Sequence, residues 1–157
     1  MMWVEFLKWL HVLGAAVLFG TGAGIAFFML VAHRTRDPHL IAHVARSVVI
    51  ADMVFTATAV IAQPVTGVAL AYAAGWRLTE SWIVMSVGLY VFTGLCWLPV
   101  VWIQARMRGI AEASARGRQA LPPDYFRLFR IWFVLGWPAF AAVLAIFWLM
   151  IAKPVLW

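Results

Sequence analysis

Four apolar segments, each long enough to cross a bilayer, constrain this chain more than any other feature of its sequence. They cover about residues 2–31, 47–74, 81–103 and 131–152. A spanning helix needs about 20 apolar residues, and lipid offers no partner to a free backbone N–H or C=O. The short alternating segments of barrel strands are absent from the sequence. We therefore predict an all-α integral membrane protein, a four-helix bundle that forms a single domain over residues 1–157.

Composition supports this prediction and excludes other classes of protein. Hydrophobic residues make up 66% of the chain and charged residues 11%, whereas a soluble domain is about half apolar and a quarter charged. The net charge of +6 does not indicate nucleic-acid binding, because most of the length has no charge to present to a polyanion. The single cysteine, Cys96, cannot form an intrachain disulfide. The expected surroundings are membrane lipids.

The arginines predict how the helices are oriented. Nine basic residues flank the connections after the first and third segments, whereas the termini and the connection at residues 75–80 carry only Lys8, Arg77 and Lys153. Basic residues stay on the cytoplasmic side during insertion. We therefore expect both termini outside (N-out, C-out) in a multi-pass protein of the bacterial inner membrane.

Turn residues and prolines predict details of the bundle. Asp37-Pro38 should start a short interfacial helix that runs to His43, and the third helix should continue beyond the membrane until Gly117 ends it. Prolines inside the second, third and fourth segments should kink those helices.

Small residues at helical spacing indicate close helix contacts. They occur at Gly20–Gly24 and at Gly67, Ala71 and Gly75, and such positions let helix backbones approach closely. Packing inside the bundle is the favoured interpretation. A homodimer or a contact with another membrane protein is the alternative.

Two ionisable residues lie well inside the predicted spans, where their presence requires an explanation. His11 lies about 10 Å outward from the middle of the first span, judged by helical rise. Asp52 lies one to two turns into the second span from the cytoplasmic side. The two spans run in opposite directions, so these residues belong to different leaflets and should not touch.

His11 has two interpretations. A neutral imidazole can ligate haem iron, and Lys8, one turn away on the same face, could pair with a haem propionate. The second and later spans contain no histidine, so the iron would be five-coordinate or have a weak partner such as Met85 or Met150. Alternatively, His11 forms a hydrogen bond with a neighbouring helix, for example at Gln63 or Tyr90.

Other polar residues have weaker interpretations. Asp52 should form an ion pair with Arg106 or Arg46, with proton relay as the alternative. Gln63-Pro64 and Thr66 could border a pocket or satisfy the backbone that Pro64 frees. His39 and His43 have the i, i+4 spacing of metal ligands, but two ligands make a weak site, and a solvated interfacial helix is the favoured interpretation.

Several segments resemble known families. "FLKWLHVLGAAVLFGTGAGIAFFMLVAHR", "ADMVFTATAVIAQPVTG", "CWLPVVWIQARMR" and "WFVLGWPAFAAVLAIFWLMIAKP" resemble a bacterial family of four-span inner-membrane proteins of unknown function. The first span also resembles HemJ-type protoporphyrinogen oxidases and, more loosely, CopD-like copper-resistance membrane domains.

The HemJ-type resemblance rests on a Lys-x-x-His motif whose histidine ligates haem b. Here that motif is Lys8-Trp9-Leu10-His11, and His33 matches a histidine at the far end of the same helix. A Trp-x-x-Lys motif at the start of the third span has its nearest equivalent in Trp82-Ile83-Val84-Met85, where the lysine is absent. That departure counts against the oxidase activity more than against haem binding.

We therefore expect an inner-membrane haem b protein with a redox or porphyrin-linked role, which could be a haem-dependent oxidoreductase. Its expected ligand and pocket residues are His11, Lys8, Gln63, Thr66, Trp82, Met85 and Tyr90. One alternative is a non-enzymatic membrane subunit or assembly factor of a larger complex. Another is a copper-handling membrane protein, although one cysteine and no dense methionine–histidine cluster fit that role poorly.

Overall fold

The computed structural model describes residues 2–157 and shows four long helices in an up-down-up-down order. They are α1 (Met2–Thr35), α2 (Pro38–Ala73), α3 (Ser81–Gly117) and α4 (Pro123–Ala152). All four are long and apolar enough to cross a membrane, and the described residues contain no strand. The predicted all-α membrane fold is confirmed.

Two ends of the bundle can be distinguished. We call the end with the α1–α2 and α3–α4 connections the arginine end. The opposite end, which carries both termini and the turn at residues 74–80, is the terminal end.

The connection between α1 and α2 is tight. Arg36 adopts a left-handed conformation (φ 55°), and the Asp37 side chain caps α2 by accepting a hydrogen bond from the His39 N–H at 2.9 Å. Pro38 then occupies the first turn, where its missing N–H costs nothing. The start predicted for this helix is correct, but its end is not, because the helix continues through His43 into the second span without a break. No glycine or proline interrupts residues 39–63, so nothing in the chain ends the helix there.

The helix α2 contains one π-helical turn, Asp52–Thr56, between the α-helical stretches Pro38–Ala51 and Ala57–Ala73. Residues 38–51 pack mainly on α3, whereas residues 57–73 pack mainly on α1. The π turn inserts an extra residue and rotates the following helix face. It therefore lies where α2 changes its principal neighbour.

Packing is densest at the arginine end. Met29, Ile41, Met107 and Tyr125 are fully buried there, and they join all four helices. A smaller cluster of Ala71, Trp82, Ile83 and Leu149 closes the terminal end. The middle of the bundle between these clusters is less filled, and the candidate site lies there.

The two sets of small residues have different surroundings. A Cβ atom added at Gly20, Gly22 or Gly24 would meet no atom within 4 Å, whereas one at Gly67 would lie 3.1 Å from His11 Cε1. Close packing inside the bundle is therefore confirmed for Gly67 but not for Gly20, Gly22 and Gly24, of which Gly22 borders the open middle of the bundle. The latter residues lie on α1 where no neighbouring helix approaches closely.

Candidate functional site

A stripe of polar side chains on α2 faces the bundle interior. Asp52, Thr56, Gln63 and Thr66 are all buried, and with Ala59 they recur at the spacing of one helix face. Buried polar groups in a membrane need partners from neighbouring helices. The partners divide the stripe into two parts, one at His11 and one at Asp52.

The first part joins α1 to α2 through His11. Its Nδ1 lies 2.9 Å from Thr66 Oγ1, and Thr66 Oγ1 lies 2.8 Å from the carbonyl oxygen of Ala62. A carbonyl oxygen can only accept, so a Thr66 hydroxyl that donates its single proton to Ala62 offers only lone pairs to His11. In that arrangement Thr66 accepts from His11, the imidazole proton is on Nδ1 and the lone pair is on Nε2; in the other tautomer Nδ1 accepts from Thr66.

Glycines allow this close approach. Gln63 Nε2 donates to the backbone oxygen of His11 at 2.9 Å, and a Cβ at Gly14 would overlap that same amide nitrogen. One turn beyond Gln63, Gly67 makes room for the imidazole ring. The expected hydrogen bond from His11 to a neighbouring helix is therefore present, although its side-chain partner is Thr66.

A cavity of about 430 Å³ occupies the middle of the bundle. Its walls are mostly apolar and aromatic, with contributions from Phe19, Phe133, Trp137, Phe140 and Phe147. Its polar lining consists of Asp52, Thr56, Gln63, Tyr90, Thr93, Trp97, Gln104 and Trp132. This size and character are typical of small-molecule sites.

Tyr90 crosses the gap between α3 and the second half of α2. Its hydroxyl donates to the carbonyl oxygen of Val60 in a short hydrogen bond. That oxygen would normally accept from the N–H four residues later, but residue 64 is proline and has none. Tyr90 therefore satisfies the backbone acceptor that Pro64 leaves free.

The second part of the stripe surrounds Asp52. Trp97 Nε1 donates to both carboxylate oxygens, at 3.2 and 3.3 Å. With its amide nitrogen turned toward the carboxylate, Gln104 donates to Asp52 Oδ2 at 3.3 Å and accepts from Trp132 Nε1 at 3.2 Å. The opposite orientation would set two oxygens against each other, so this one is correct.

The ion pair predicted for Asp52 is wrong. Arg46 instead pairs with Glu112 at 3.1 Å, and Arg108 approaches the same carboxylate at 3.6 Å. No ion pair among residues 2–157 includes Asp52 or Arg106. Asp52 lies deeper in the bundle than the arginine rim, where indole and amide donors replace the expected guanidinium.

The other predicted site residues are distributed over the bundle. Gln63 and Tyr90 line the cavity, and Thr66 holds His11. Trp82 packs in the cluster at the terminal end, and Met85 is 40% exposed on α3. Lys8 is exposed and lies 3.5 Å from Glu5. The structure thus brings together His11, Gln63 and Thr66, with Tyr90 across the cavity.

The remaining histidines do not form a metal centre. His33 stacks on Phe129 with ring centroids 3.6 Å apart, while His39 and His43 are exposed. Within residues 2–157, no three His, Cys, Asp or Glu side chains come together as a group that could hold a metal ion.

Sequence reasoning missed the donors around Asp52. Trp97 lies deep enough in its span to be a candidate for packing or a ligand pocket, but depth singles out neither Gln104, Trp132 nor Thr56. The signal that could have found Thr56 is the polar spacing along the second span, which places Asp52, Thr56, Gln63 and Thr66 on one face. Nothing in the sequence indicates that Gln104 and Trp132 reach that face from other helices.

Comparison with known proteins gives one match. Residues 5–154 match the model of a family described as "Predicted integral membrane protein (DUF2269)". No curated protein and no solved structure matches the chain. Since the match covers nearly all of the sequence, this chain belongs to the DUF2269 family of integral membrane proteins.

Proposed function

We propose that this protein binds haem b in the bacterial inner membrane, with His11 as the axial ligand to the iron. The observation that carries the proposal is the orientation of the imidazole by Thr66. Metal-bound histidines almost always donate their second ring N–H to a fixed acceptor, which sets the tautomer. Thr66 is such an acceptor for Nδ1–H.

The donor atom available to iron is Nε2. It makes no hydrogen bond within residues 2–157, and protein does not fully enclose it. A neutral imidazole with a free Nε2 lone pair is the form that ligates haem iron. The residues present therefore fit an axial ligand.

The surroundings of His11 supply the other parts of the proposed site. Gln63 contacts the His11 backbone and also lines the cavity, and Tyr90 lines it from α3. Lys8, one turn from His11 toward the terminal end, is the candidate partner for a haem propionate. The Glu5 carboxylate competes with the propionate for the Lys8 ammonium group. Trp82 and Met85 retain at most a peripheral role, because Trp82 packs in the cluster at the terminal end and Met85 is 40% exposed on α3; like His11 and Thr66, neither lines the cavity.

Bound haem would supply one-electron redox chemistry. The role we propose for the protein is thus electron transfer or a porphyrin-linked oxidation. Similarity to HemJ-type oxidases supports the second role only through Lys8 and His11, since the lysine of the second motif is absent from 82–85.

An absorption spectrum tests the proposal. The protein is expressed in haem-replete cells and purified in mild detergent, and haem is quantified against protein. We expect a Soret band and about one haem per chain in the wild type. His11→Ala should lose the band, while His43→Ala, a matched change at an exposed histidine, should keep it.

A second pair of variants tests the role of Thr66. Thr66→Val should lower haem affinity about 10- to 100-fold, as changes at the hydrogen-bond partners of metal ligands do. Thr58→Val, on the exposed side of the same helix, should have no such effect. A wild type without a Soret band, or a band that survives His11→Ala unchanged, would end the proposal.

A further inference from the structure

We propose that the cavity binds a lipophilic organic cation, a molecule with an apolar body and a protonated amine, and that Asp52 holds the amine. The amine position at Asp52 is remote from the proposed iron ligand His11, although Gln63 and Tyr90 of the proposed haem site line the same cavity. Thr66, which holds His11, is 14 residues from Asp52, or about 21 Å along α2. The His11 and Asp52 variants therefore test the two proposals separately.

The hydrogen-bonding groups of the cavity indicate what kind of ligand fits. Its N–H and O–H donors are already committed to protein acceptors: Tyr90 to Val60, Gln63 to His11, Thr93 to Leu89, Trp97 to Asp52, and Trp132 to Gln104. What the cavity lining mainly still offers a ligand is hydrogen-bond acceptors. A ligand that brings donors satisfies them, whereas a carbonyl compound finds as donors only Thr56 and the second amide N–H groups of Gln63 and Gln104.

Asp52 carries most of this acceptor capacity. It is only 3% exposed, and its oxygens accept from Trp97 and Gln104 without donating to any group. Acceptor-only bonding is the pattern of an ionised carboxylate, which has about four lone-pair sites. A carboxylate inside a membrane is stabilised by a countercharge, and residues 2–157 supply none at Asp52, so a bound ammonium group would hold Asp52 in its charged form.

Thr56, one turn from Asp52, adds a second polar group to the same part of the cavity. Its side chain is buried at 7% exposure and lines the cavity on the same helix face as Asp52, yet its hydroxyl oxygen has no hydrogen-bond partner among the described residues. Buried hydroxyl groups are normally satisfied. An ammonium group at Asp52 has three N–H donors, enough to reach both side chains.

The walls of the cavity favour an organic cation over a hydrated metal ion. Trp97, Trp132, Trp137 and Phe133 line it, and aromatic faces attract cations. At about 430 Å³, the cavity can hold a body of several rings or a folded chain. Entry from lipid is possible between α1 and α4, whose helices make little backbone contact and meet through Phe19 with Phe140 and Phe147.

Three fluorescent probes with one aromatic body and different charge test the proposal. They are 1-pyrenylmethylamine (cation), 1-pyrenemethanol (neutral) and 1-pyrenecarboxylate (anion). Each is titrated into the full-length protein in lipid nanodiscs, and energy transfer from tryptophan to pyrene is measured. Empty nanodiscs report partition into lipid. We expect saturable binding of the amine, at least about tenfold tighter than that of the alcohol, and none of the carboxylate.

Two pairs of variants locate the site. Asp52→Asn should weaken amine binding at least about tenfold, because it removes the charge and keeps the shape. Asp124→Asn removes an exposed carboxylate and should leave binding unchanged.

Gly136→Leu should block binding by filling the cavity, since a Cβ there meets no atom within 4 Å. Gly20→Leu, on the outer face of α1, should not block binding. Monodisperse elution and helical circular dichroism verify that each variant folds.

Several results would overturn the proposal. These are a wild type without saturable amine uptake, equal affinities for amine and alcohol, and amine binding that survives both Asp52→Asn and Gly136→Leu. If Asp52→Asn fails to fold, two measurements decide whether the proposal holds. They are the ratio of amine to alcohol affinity and the comparison of Gly136→Leu with Gly20→Leu.

Discussion

Tyr90 on α3 donates its hydroxyl hydrogen to the carbonyl oxygen of Val60 on α2, the acceptor that Pro64 deprives of its helical partner. This contact and the bonds from Trp97 and Gln104 to Asp52 are hydrogen bonds that join α2 and α3 at the cavity. A kink residue on one helix is thus compensated by a side chain from another.

Tyr90→Phe should therefore destabilise the protein. The change removes one interhelical hydrogen bond and leaves the Val60 carbonyl without a partner, which should lower the free energy of unfolding by about 1 kcal/mol. Unfolding in mixed micelles of mild detergent and dodecyl sulfate, followed by circular dichroism, measures it. Tyr72→Phe is the matched control, because Tyr72 is exposed and makes no side-chain hydrogen bond.

A double-mutant cycle with Pro64→Ala identifies the cause. Alanine restores the N–H at residue 64, so Val60 regains an intrahelical donor. Tyr90→Phe should then cost clearly less in the Pro64→Ala background than in the wild type. Equal losses in both backgrounds would mean that the Tyr90 hydroxyl contributes for some reason other than the proline.

Tyr125→Phe should have the opposite sign. Tyr125 is fully buried at the arginine end, and its hydroxyl has no partner among residues 2–157. An unsatisfied buried hydroxyl costs about 1–3 kcal/mol, so its removal should raise the free energy of unfolding by about 1 kcal/mol. The same unfolding experiment measures both tyrosine variants, and a loss of stability for Tyr125→Phe would contradict the prediction.

The sequence predicts the four helices well because lipid leaves a backbone no alternative to the helix. The helix start at Asp37 and the helix end at Gly117 are equally predictable, since they depend on neighbouring residues only, although the left-handed residue that ends α3 is Arg118. The π turn at Asp52–Thr56 has no such local signature. It depends on how α2 packs against α3 and α1.

Prediction of the candidate site was limited in the same way. His11 and its neighbours Gln63 and Thr66 are recognisable because each polar residue in an apolar span requires a partner. The partner of Asp52 could not be predicted, because charge alone favours an arginine, whereas depth in the bundle selects Trp97 and Gln104. Depth is a property of the assembled helices.

The orientation of the bundle stays a prediction from the arginine distribution. Single cysteines at Gln119 and Leu78, introduced into a Cys96→Ser background, test it with a membrane-impermeant maleimide. Gln119 and Leu78 lie in opposite end connections and are exposed. Position 78 should be labelled in intact spheroplasts, and position 119 only after lysis. The reverse pattern would place the arginine end outside the cell.

Alanine at Gly14 and at Gly20 should have different effects, although both glycines lie in α1. At Gly20 a Cβ meets no atom within 4 Å, so Gly20→Ala should be neutral or stabilise the helix by up to about 1 kcal/mol. At Gly14 the new methyl group overlaps the Gln63 amide. Gln63 must then move and lose its hydrogen bond to the His11 backbone, which should offset the helix gain and make Gly14→Ala about 1 kcal/mol less stable than Gly20→Ala. Unfolding in mixed micelles compares the two variants directly. If Gly14→Ala proves as stable as Gly20→Ala, the close approach of α1 and α2 at Gln63 does not contribute to stability.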